Sequence, residues 1–75
     1  YSAPPARVQQ LLKQAAVGIP GVCATPSPDV FLKEFADSAV IYEIRVWIED
    51  HAVMGRVLSD VRLHAWYAMR RAGID

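Results

Sequence analysis

Seventy-five residues with 53% hydrophobic side chains make a single small folded domain rather than a disordered tail. Eight basic groups balance eight acidic ones, so no overall field draws nucleic acid or an anionic membrane to the chain. The lone cysteine excludes an internal disulfide and fits a reducing compartment, and no apolar run approaches the ~18–20 residues of a membrane span.

The chain opens Tyr1-Ser2-Ala3-Pro4-Pro5, with neither the basic start nor the apolar stretch of a signal peptide. Lacking an initiator Met, it is expected to be a piece of a longer protein. Ser2 is placed to cap a helix, and proline suits a first turn because its missing N–H costs nothing there. Val8, Leu11, Leu12 and Ala15 recur at i, i+3, i+4 and i+7, which predicts an amphipathic helix over about 4–17. Gly18, Pro20 and Gly21 end it. Residues 18–28 form a connector holding Cys23, which has no CxxC partner and is expected to be a small buried or half-buried thiol.

A strand follows over about 29–34, with Val30 and Leu32 alternating with Phe31 and Lys33. Phe35 falls out of phase, predicting a bulge or the strand's end near Glu34. Asp37 and Ser38 supply a turn. The next strand is predicted over about 39–49, where β-branched and aromatic residues run without Gly or Pro. Val40, Tyr42, Ile44, Val46 and Ile48 share its apolar face; Ile41, Glu43, Arg45, Trp47 and Glu49 share the other. Two strands this close in sequence pair as an antiparallel hairpin, whose apolar face two helices can cover.

The period then changes from two to 3.6. Met54, Val57, Leu58, Val61, Ala65, Ala68, Met69 and Ala72 trace the stripe of a helix over about 51–72, with Trp66 at its margin. Asp50 is the natural N-cap and Gly73 the stop, and Arg70 and Arg71 suit the negative C-terminal end. Asp60 is spaced to pair with Arg56 and with His64 on the helix surface. The fold class is therefore α+β, an α-β-β-α unit. A lone two-stranded sheet is marginal in water, and one edge of the 39–49 strand is left without a partner, so further strands are expected outside this order.

Little in the chain carries chemistry. His51 and His64 lie apart on a turn and a helix, far from Cys23, against the clustered ligands a zinc site needs. Glu49-Asp50-His51 reads as an acidic strand end capping a helix rather than an acid/base cluster. Ser38 and Ser59 lack a nucleophile setting, and the glycines form no phosphate cradle. Neither catalytic nor metal or cofactor residues are assigned. The candidate site is a subunit interface formed by Ile41, Glu43, Arg45 and Trp47, because Arg and Trp join broad apolar surface to hydrogen bonding and are favoured at interfaces. The plainer alternative is that Trp47 covers the open sheet face within one subunit.

Four segments, in order, resemble one family: Tyr1-Ser2 before a helix, Phe35-Ala36-Asp37-Ser38-Ala39-Val40, Arg45-Val46-Trp47, and Ala72-Gly73-Ile74. They resemble the C-terminal α/β domain of the small-conductance mechanosensitive channels, over nearly the whole chain. The resemblance implies that 1–75 is part of a ferredoxin-like βαββαβ sandwich, with one strand before Tyr1 and a Pro-rich segment and last strand after Asp75. It further implies a bacterial-type channel of the inner membrane, opened by bilayer tension to release solutes on osmotic downshift, with its pore helices upstream. This segment would then belong to the cytoplasmic vestibule, a cage of seven subunits, meeting the membrane only through the parent and binding no nucleic acid. Alone, it is expected to self-associate through the unpaired edge of the 39–49 strand. The alternative is a ferredoxin-like small-ligand-binding or regulatory module of a soluble protein. An RNA-binding sheet is disfavoured because Glu43 and Glu49 offset Trp47 and Arg45.

Overall fold

A computed structural model describes residues 3–74. Helix α1 spans Pro5–Ala16, strand β1 Asp29–Phe35 and strand β2 Val40–Arg45. A 3-10 turn, His51–Val53, leads into helix α2, Met54–Arg71. The α-β-β-α order is thus the one the periodicities predict.

The start of α1 is set by proline rather than by a side-chain cap. Pro5 occupies the first turn, and the Pro4 carbonyl accepts from Arg7 and Val8 N–H at 3.1 and 3.2 Å. The expected Ser2 cap lies outside the described residues. The buried face of α1 is Val8, Leu12 and Ala16, so the stripe is centred on i, i+4, i+8, with Leu11 and Ala15 half-buried beside it. The helix ends at Val17, extended, followed by Gly18 at φ +84.

β1 and β2 form an antiparallel hairpin, pairing Val30 with Ile44 and Leu32 with Tyr42 on the helix side. The register shifts between Leu32 and Glu34, so Lys33 is the extra residue of a bulge. Beyond it Phe35 pairs with Val40 and Glu34 with Ile41. The bulge is what turns the out-of-phase Phe35 to the face shared by Val40. The Ala36 N–H donates to the Ala39 carbonyl at 2.8 Å, closing the turn.

The second strand is shorter than the 39–49 that its composition predicts. Its ladder stops where Arg45 meets Asp29, the first residue of β1, and the preceding Pro28 has no N–H to continue it. Residues 46–48 leave the sheet without leaving the core. Val46 and Ile48 pack against Ala16, Ile19, Val57 and Val61, while the Trp47 carbonyl accepts the Cys23 N–H at 2.8 Å. The connector therefore clamps the chain that the strand releases, and Cys23 itself is half-buried and free.

The 3-10 turn and α2 are bounded as predicted. The Asp50 carboxylate accepts the Ala52 N–H at 3.0 Å, capping the turn that opens α2. At the far end Gly73, at φ +74, donates to the Arg70 carbonyl and Ile74 to the Met69 carbonyl, a Schellman closure. The surface pairs predicted around Asp60 do not form. His64 Nδ1 instead lies 2.8 Å from the Asp60 main-chain carbonyl. Arg56 makes no ion pair among the described residues.

Two buried clusters form the core. Ala16, Ile19, Val57 and Val61 join the helices and connector; Val8, Leu12 and Val30 join α1 to β1. Ile44 touches both clusters and ties the strand to each. The helices do not share the hairpin equally. α1 lies over both strands, whereas α2 packs along α1. Between Ile44 and the Ala65–Met69 side of α2 this leaves an open groove of about 470 Å³. α1 thus lies closest to the strands, while α2 reaches them through side chains, with Val57 and Val61 packed against Ile44 and Val46.

Candidate subunit-contact surface

Antiparallel pairing decides which side chains share the sheet's open face. Ile41 stands opposite Glu34, Glu43 opposite Phe31, and Arg45 opposite Asp29. Glu43 and Arg45, two apart on one strand, lie on the same side and meet: Arg45 Nε donates to Glu43 Oε2 at 3.0 Å. The pair is wet, with side chains 40% and 58% exposed, and such surface pairs contribute about 0–1 kcal/mol. The Arg45 guanidinium also sits 4.7 Å from the centre of the Phe31 ring, a cation–π contact across the two strands. The result is a low, ordered platform with Ile41 and Phe31 exposed on it.

Of the four residues predicted for this surface, Ile41, Glu43 and Arg45 come together on β2. Trp47 lies past the strand's end, its carbonyl held by Cys23 and its side chain 42% exposed. Phe31 was absent from the predicted set, although its alternation with Val30 and Leu32 already places it on the open face.

A second apolar surface lies on α2. Leu63, Trp66 and Tyr67 are about half exposed, at 51%, 53% and 53%. Trp66 meets Tyr67 edge-on, with ring centres 5.0 Å apart and planes at 87°, and Arg70 lies 4.9 Å above the Trp66 ring. Trp66 is therefore more than a margin of the buried stripe: it borders the groove and faces solvent. Residues 63, 66, 67 and 70 follow i, i+3, i+4, i+7, a second stripe that the stronger core stripe conceals in the sequence.

Among the described residues no group of three His, Cys, Asp or Glu side chains gathers as a metal site would require. Among the described residues no helix is long and apolar enough to cross a membrane. No side-chain polar atom is buried without a hydrogen-bond partner among the described residues. What the arrangement can do is make contacts: two exposed aromatic platforms, each braced by an arginine, on opposite kinds of element.

Comparison with known proteins gives one family. The model for the C-terminal region of the mechanosensitive ion channel MscS matches residues 1–75, the whole chain. No curated protein matches.

Proposed function

We propose, on the premise that this chain belongs to the family of mechanosensitive ion channel MscS C-terminal regions, that it serves as a non-catalytic assembly domain. Members of the family are oligomeric ion channels rather than enzymes. In this reading the parent is a bacterial-type channel opened by bilayer tension, and this segment is part of its vestibule on the cytoplasmic side of the inner membrane. The segment acts by packing subunits together, in a parent of seven copies.

The observation that carries the reading is the platform on the open sheet face. Phe31 and Ile41 are 42% and 40% exposed and lie beside Arg45, which pairs with Glu43 and lies over the Phe31 ring. An apolar centre with an ordered guanidinium suits a contact with another chain, because little side-chain entropy is left to lose on binding. Ile41, Glu43, Arg45 and Trp47 are the residues to which we assign it. The free edge of β2 offers a further contact, which in the isolated chain takes the edge of a second copy.

The test is electrical. The full-length protein, placed in a bacterial membrane, is expected to give stepwise currents when suction is applied to an excised patch. Trp47→Ala combined with Arg45→Glu should lower the number of active channels and raise the fraction of unassembled subunits on a native gel. Silence under tension up to patch rupture contradicts the channel assignment. Wild-type assembly in the double variant contradicts the interface.

A further inference from the structure

We draw no further inference here: the strongest candidate, the apolar groove between Ile44 of β2 and the Ala65–Met69 side of α2, with Arg62 and Arg70 at its rim, is bounded by a strand whose unpaired edge already calls for a further strand of the same fold, and nothing in the structure shows what else covers it.

Discussion

Two glycines of the connector share a backbone state and differ in what surrounds them. Gly18 has φ +84 and Gly21 φ +95, both in the left-handed region that a side chain disfavours. A Cβ at Gly18 would meet nothing within 4 Å, whereas one at Gly21 would come within 2.5 Å of Val57 Cγ2. Val57 is 1% exposed and has no room to withdraw. Gly18→Ala should therefore cost only the backbone term, about 1–2 kcal/mol. Gly21→Ala should cost that and an overpacking term of roughly 1–3 kcal/mol more. Urea denaturation of the two variants measures the difference, and equal midpoints would show that Val57 yields freely. The contrast also marks what residue types alone reveal. A Gly-Ile-Pro-Gly connector announces a turn, but only the folded chain shows that its second glycine is the one pressed against the core.

At the level of elements, legibility followed how local the cause was. Helix limits came through because their causes are local: proline in the first turn of α1, Asp50 under the Ala52 N–H, and Gly73 closing α2. The bulge was visible because Phe35 broke a period of two. The end of β2 was not, since Val46 and Ile48 keep the apolar alternation and the deciding residue, Pro28, sits just before the partner strand. Composition describes what a strand can be, and its partner determines how far it runs. The open face was legible in the same measure: alternation put Ile41, Glu43 and Arg45 on it from β2, and the same alternation on β1 puts Phe31 there beside them. The second stripe on α2 was hidden by the core stripe beside it.

The elements also differ in how much they bear. α1 is the helix that lies over both strands, and Leu12, 6% exposed, sits in its buried face with Val8 and Val30. Leu12→Ala should cost about 2–5 kcal/mol. Set against the roughly 3–5 kcal/mol that a core of this size supplies, that loss removes a large share of the stability and lowers the melting point steeply. The far-UV circular dichroism signal should fall accordingly, and a variant retaining the wild-type spectrum and melting point would place the core's weight elsewhere.

The whole molecule follows from the same unevenness. The two strands make one sheet with a free edge on β2, and α2 stands along α1 beside an open groove. Each of these leaves surface that a second chain could complete, which is the ground for proposing an assembly role for this member of the MscS C-terminal family. The measurement that tests this most directly is the mass of the 75-residue chain in solution across a wide concentration range, by analytical ultracentrifugation, with folding monitored alongside. The account predicts a weight-average mass that rises above the 8.3 kDa of a single chain as concentration increases, and a rise suppressed when Trp47→Ala is introduced. A folded chain that holds at 8.3 kDa to millimolar concentration would contradict it.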